Sequence, residues 1–428
     1  VIKKVFHSTL LRTTGIYTFS NIINSSIPFI LIPILTRYIS LEDYGTIAMF
    51  TVITSFFFPF IGLNTVSAIS ISYFHLDHKS LSRYIFNCFL ILIATTIIFG
   101  FISNNLRFYI NSITQFPPNW IWVICIYCFS QFINQVLLTV WINERKPISY
   151  GTFQISSTVV NFLVSVLLIV KWDLDWRGRV LGMVTSSIVF GLIALYILWR
   201  NKRIAIMYSR SDISHAFRFG VPLIFSSLSI FLITMTDRIL ITNMVGVAST
   251  GEYALGYQIG MIINLLSDSF NNAWGPWLLG QLKDANIKTK IKLVKISYLY
   301  FLLVIISAIT LSIVAPLFFY FFVGKDFIGA TVYISWIAIG FSFNAMYKMI
   351  SNYIYFAQKT HLLIWITLVS ALINILLSYY LIKINGPVGA AQATTIVYGL
   401  FFLFTWVASN RSYPMPWFSF RRKNPAAC

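Results

Sequence analysis

The stretch FRFGVPLIFSSLSIFLITMTDRILITNMVGVASTGEY, from Phe217 to Tyr253, decides how this chain folds. Between Gly220 and Met244 its only charges are the neighbours Asp237 and Arg238. At ~1.5 Å of rise per residue, the run is long enough to cross a ~30 Å hydrocarbon core as one helix. Each ionised group placed there costs ~2.5–3.5 kcal/mol on insertion scales, so an acid and a base inside the span are candidate functional residues. Arg238 is also close enough to the end of the span to snorkel to the headgroups, whereas the shorter Asp237 reaches less far.

The rest of the chain has the same character. It is 58% hydrophobic, 17% aromatic and only 10% charged, well outside the range of soluble domains. Its apolar runs are continuous and joined by short polar links, the pattern of a helical bundle and not of an outer-membrane barrel. Cys88, Cys125 and Cys128 fall within apolar runs and Cys428 ends the tail, so the CIYC spacing reads as packing and not as a redox or metal motif. Lys3 and Lys4 open the chain, but no small-residue cleavage site follows the first apolar run, which predicts a retained first helix and no signal peptide.

The apolar windows predict twelve spans, at about 16–36, 44–72, 84–103, 119–142, 151–170, 180–199, 219–243, 252–275, 296–323, 330–356, 362–382 and 388–408. When the sides alternate along the chain, most of the Lys and Arg residues gather on the side of the N-terminus and the tail. The opposite side holds only Arg37, Arg107, Lys171, Arg177, Arg179, Lys325 and Lys383. Both termini are therefore expected in the cytoplasm. The net charge of +19 follows from this asymmetry and from anionic lipid, so it does not argue for a nucleic-acid partner. No link is long enough to hold a soluble catalytic domain.

The second half repeats the first. Ser40-x-x-Asp43-Tyr44 recurs as Ser249-x-x-Glu252-Tyr253; Ser157, Asn161 and Ser165 recur as Ser370, Asn374 and Ser378; TSSIVFG ending at Gly191 recurs as ATTIVYG ending at Gly399. Six spans per repeat give both halves one orientation. This predicts an all-α integral membrane protein with two six-helix lobes, 1–209 and 210–428, related by a pseudo-twofold along the membrane normal and rocking about a central cleft.

Polar residues fall in stripes. Span 8 carries Asn264, Ser267, Asp268, Asn271 and Asn272 on one helical face, and span 10 carries Asn344, Lys348, Ser351, Asn352 and Tyr355 on another. Span 4 carries Gln131, Asn134 and Gln135. A full charge within the stripes of spans 8 and 10 points to a hydrated cavity, while the Ser-Asn-Ser ladders of spans 5 and 11 point to hydrogen bonds between helices. Asp268 and Lys348 stand at similar depth, so they pair if the two stripes face one cavity. Pro28, Pro33, Pro59, Pro222 and Pro316 each remove a backbone donor and are expected to kink or loosen their helices.

With LTRYISLEDYG after span 1, FGVPLIFSSL ahead of Asp237-Arg238, and GEYALGYQIG entering span 8, the chain resembles the O-antigen repeat-unit flippases. They belong to the exporter superfamily that also holds multidrug and peptidoglycan-precursor transporters. The resemblance covers nearly the whole chain. It implies a bacterial inner-membrane protein that moves an undecaprenyl-diphosphate-linked oligosaccharide to the periplasmic leaflet, working with membrane lipids and other polysaccharide-assembly proteins. The family brings no catalytic signature that transfers to these positions.

The residues themselves agree with such a cargo. A diphosphate must shed its hydration to cross, and cations and amides replace it. Lys348 and the inner-mouth bases Arg83, Arg145 and Arg218 are the available cations, although positive-inside anchoring also accounts for those three arginines. Asp237 and Asp268 are the acids expected within the spans, where they could titrate and couple an H+ or Na+ gradient to turnover. No cofactor, metal cluster, phosphate loop or nucleotide motif is expected, and no enzymatic activity. A multidrug or metabolite exporter on the same fold is the rival reading, which Lys348 opposes for cationic drugs. A polysaccharide polymerase or ligase would need a larger external loop than the one at 104–118.

Overall fold

The computed structural model describes residues 9–283 and 286–417, and among them every regular element is helical. The basic residues Lys3, Lys4, Arg421, Arg422 and Lys423, and Cys428, lie outside the described residues. The chain divides into two compact units, 1–252 and 253–428.

The first unit contains α1 (Thr9–Tyr38), α2 (Leu41–Phe57), α3 (Thr65–Ser72), α4 (His78–Asn105), α5 (Arg107–Thr114), α6 (Ile121–Asn143), α7 (Pro147–Val166), α8 (Asp175–Arg200) and α9 (Arg210–Met244). Its apolar centre gathers Met49 and Phe50 of α2, Ile85 and Cys88 of α4, Cys128 and Phe132 of α6, and Val180 and Ala194 of α8. Helices α2, α4 and α9 start where the sequence supplies a side-chain cap. Ser40 caps α2 in a reciprocal box with Asp43, Asp77 accepts from the amides of Lys79 and Ser80 at the start of α4, and Ser209 accepts from the amide of Asp212 at the start of α9.

The helix α10 (Val247–Gly260) runs across the division between the units. The second unit continues with α11 (Ile262–Leu282), α12 (Ile287–Phe322), α13 (Thr331–Phe356), α14 (His361–Asn385) and α15 (Val388–Ser412). Helix α13 is its centre, packing against α11, α12 and α15, with Ile334, Ile337, Ala338, Ile350 and Tyr353 fully buried.

Among the described residues ten helices are long and apolar enough to cross a membrane, so this is a multi-pass membrane protein. Two of the twelve expected spans, about 44–72 and 252–275, are not single helices. The first stops at Phe57, and Gly62, Leu63 and Asn64 then take left-handed backbone angles, with φ of 83°, 50° and 53°. Pro59 sits at this break, which apolar residues on both sides conceal in the sequence. The loosened backbone is satisfied locally: the Gly62 amide donates to Thr95 Oγ1 at 2.9 Å, and the Thr65 hydroxyl to the Gly62 carbonyl at 2.7 Å. The second is divided at Met261 into α10 and α11. Pro28, Pro33, Pro222 and Pro316 lie inside continuous helices, as does Pro276 in α11.

Candidate functional site

In the second unit, α11 and α13 set their polar stripes face to face. The Lys348 ammonium lies 2.5 Å from Asp268 Oδ1 and donates to Asn264 Oδ1 at 2.8 Å. Asn264 Nδ2 in turn donates to Asp268 Oδ2 at 3.3 Å, so one amide braces both charges. One turn further along, Asn352 Nδ2 donates to Asn271 Oδ1 at 2.9 Å and to the Lys348 carbonyl at 2.9 Å. Gly275 makes room for this contact, since a Cβ there would stand 3.1 Å from Asn352 Oδ1.

The pair is not sealed. The Lys348 and Asp268 side chains are 23% and 48% exposed, so an arriving anion can reach the ammonium without unfolding a helix. Sequestered on one side and open on the other, the ammonium is held by a carboxylate that a second, more highly charged oxyanion can outcompete. Asn344, on the same stripe, has a buried Oδ1 with no hydrogen-bond partner among the described residues. Asn272, expected on the same face, is exposed.

The first unit holds the other candidates. Asp237 and Arg238 are 2% and 8% exposed, and both are engaged. Arg238 Nη1 donates to the Thr234 carbonyl at 2.8 Å and lies 3.7 Å from Met235 Sδ. Arg83 is held by Asp212, Nε to Oδ2 at 2.8 Å, an acid in the first turn of α9 that falls before the expected start of the seventh span. The linker ahead of α9 is strapped to the same end of α4: Asn87 donates to the Met207 carbonyl and accepts from the Ser209 amide, both at 2.9 Å. Arg145 and Arg218 are exposed, and Arg145 has a left-handed φ of 55° that closes the turn after α6.

One cation was misplaced by sequence reasoning. Arg179, expected in an outer link, lies inside α8, because the helix starts at Asp175 and not beyond residue 179. Its guanidinium Nη1 donates to Asn161 Oδ1 at 2.5 Å and Ser165 Oγ at 2.9 Å. The Ser-Asn-Ser ladder therefore ties α7 to α8, with Ser186 Oγ donating to the Ser157 carbonyl at 2.7 Å as its third rung. In the equivalent ladder of α14, Ser370 Oγ and Asn374 Oδ1 are buried without a hydrogen-bond partner among the described residues. The ladder itself was the signal that a donor should be sought nearby.

Comparison with known proteins agrees with this architecture. A membrane protein of Haemophilus influenzae described as uncharacterized is 26% identical over 399 residues, covering 91% of this chain and 92% of that protein. The structure of the lipid II flippase MurJ in an inward closed conformation superposes with a TM-score of 0.71 at 15% identity, covering 93% of this chain and 87% of that one. An inward-facing multidrug resistance MATE family transporter of the MOP superfamily gives 0.68 at 15% identity, covering 90% and 94%. At those identities the likeness is one of fold, which is therefore MurJ- and MATE-like. The family model for "polysaccharide biosynthesis protein" matches residues 10–280, more than half of the sequence. The chain belongs to the polysaccharide biosynthesis protein family.

Proposed function

We propose that the protein is a flippase that moves an undecaprenyl-diphosphate-linked oligosaccharide, an O-antigen repeat unit, from the cytoplasmic to the periplasmic leaflet of a bacterial inner membrane. The observation that carries this reading is the exposed ion pair between Lys348 and Asp268 on two helices of a membrane protein in a polysaccharide biosynthesis family. A diphosphate entering the second unit offers Lys348 a stronger partner than Asp268, and the Asn264 and Asn271 amides replace part of its hydration. The freed Asp268 carboxylate then takes up H+ or Na+, which links cargo to an ion gradient. Asp237 is the second acid proposed for coupling, and Arg238, Arg83, Arg145 and Arg218 are proposed to guide the anionic headgroup.

In this reading all twelve apolar segments cross the membrane, including the interrupted ones at 44–72 and 252–275. The lobes 1–209 and 210–428 alternate about the cleft, with both termini cytoplasmic. Transport needs no covalent chemistry. The test is reconstitution into proteoliposomes with the host's lipid-linked glycan, scoring its appearance in the opposite leaflet. If empty liposomes and protein-containing liposomes flip the glycan at the same rate, the reading is wrong. The MATE-like fold supports export of drugs or metabolites as the second reading, which dye efflux without glycan movement would favour.

A further inference from the structure

The first unit has an open cavity of about 530 Å³ that none of the charged candidates lines. Its walls come from the end of α2 and the break that follows, from α6, and from α9, with Met183 contributed by α8. Among the described residues no Asp, Glu, Lys, Arg or His faces it, in a chain of net charge +19. Arg238, buried on α9, turns its Nη1 to the carbonyl of the wall residue Thr234.

Neutral hydrogen-bonding groups take the place of charge. Along α6, Gln131 Nε2 donates to the Tyr127 hydroxyl at 3.1 Å while Gln131 Oε1 accepts from Asn134 at 3.2 Å, so that amide is fixed in orientation. Across the cavity Asn64 Nδ2 donates to Ser227 Oγ at 3.1 Å. Gln135, one turn beyond Gln131, is exposed in the cavity wall, and neither its amide nor the Ser55 hydroxyl makes a hydrogen bond within the described protein. A primary amide left unpaired near the middle of a membrane helix is costly, so it is either hydrated or matched by a ligand.

We infer that this cavity is a binding site for uncharged sugar residues. A sugar hydroxyl both donates and accepts, as does a primary amide, and Gln131, Gln135 and Asn64 place three amides around one volume. The rings of Tyr127, Phe58 and Phe231 supply apolar faces for the C–H surface of a pyranose. The volume falls within the ~300–1,000 Å³ of small-molecule sites. A carboxylated or phosphorylated sugar would bring a charge into walls that hold no counter-charge, so the site selects neutral glycans. The assignment deepens the flippase reading and rests on it: the first unit's cavity takes the sugars of the cargo.

The test uses the full chain in proteoliposomes, with Cys428→Ser and the wall residue Ile230→Cys as a maleimide reporter that leaves every amide in place. Labelling is timed with methyl glycosides of glucose, galactose, rhamnose and N-acetylglucosamine, and with methyl glucuronoside and inorganic pyrophosphate. At least one neutral glycoside is expected to slow labelling about threefold or more, the charged probes to leave it unchanged, and Gln135→Leu, whose amide has no partner to lose, to remove the protection. Absence of protection by all four neutral glycosides, or equal protection by glucuronoside or pyrophosphate, overturns the assignment. Translocation of the lipid-linked glycan is measured in the same proteoliposomes. Flipping without sugar protection refutes the sugar site alone, and protection without flipping upholds the site and refutes the flippase reading.

Discussion

Lys348 Nζ stands 2.5 Å from Asp268 Oδ1, an acid and a base on different helices, each lowering what the other costs inside a membrane. Removing one partner leaves the other without compensation. Because Asp268 is half exposed, the loss falls between that of a surface pair and that of a buried one, about 1–2 kcal/mol. Asp268→Lys combined with Lys348→Asp is expected to give more membrane-inserted protein than either single change, while transport stays impaired. Insertion of the double variant no better than the singles, judged by membrane fractionation, would show that the two charges are independent.

Lys348→Met is expected to abolish surface glycan with the protein still in the membrane, since methionine keeps an unbranched side chain only one atom shorter and removes the charge. Asn264→Leu, which removes the amide bridging both charges, is expected to lower transport less, by about tenfold. Equal glycan display by wild type and Lys348→Met would reduce the lysine to a structural role.

Gly45 and Gly251 sit where the starts of α2 and α10 touch. A Cβ on Gly45 would meet the Val247 carbonyl oxygen at 2.1 Å, and one on Gly251 the Leu41 carbonyl oxygen at 2.2 Å. Gly251→Leu should therefore force the backbones apart and cost about 1–3 kcal/mol. Gly100→Ala, with nothing within 4 Å of the added carbon, should leave the melting temperature level or slightly raised. A thermal scan by size-exclusion fluorescence compares them.

Asp77 caps α4, and its hydrogen bonds from Ser80 hold its carboxyl below the ordinary value of 3.8. A depressed carboxylate stabilises the fold above the unfolded value, and this contribution is lost as pH falls through the folded one. Asp77→Asn is thus expected to melt lower than wild type at neutral pH, with the gap closing as pH drops below 3.8. A gap that stays constant with pH would mean that the cap does not depend on its charge.

Cysteines at Lys146, Lys288 and Lys325 report sidedness cleanly, because all three positions are exposed. The first two are expected to resist an impermeant periplasmic label and the third to react. The reverse pattern would overturn the proposed orientation.

The sequence by itself determined that this chain is a bundle of membrane helices, because lipid admits only helices or closed barrels and continuous apolar runs lack the alternation of a barrel. It also singled out Asp268 and Lys348, since a charge within an apolar run is visible without any structure. Tertiary structure decided what those charges meet. A rotation of α11 or α13 by a third of a turn would part the two stripes, and that rotation is set by packing such as Gly275 against Asn352, not by local pattern. Packing likewise gave Arg83 to Asp212 and brought Arg179 onto the Asn161–Ser165 ladder. The break after Phe57, and with it a wall of the neutral cavity, rests on three successive left-handed residues, two of them not glycine, which the surrounding chain must hold in place.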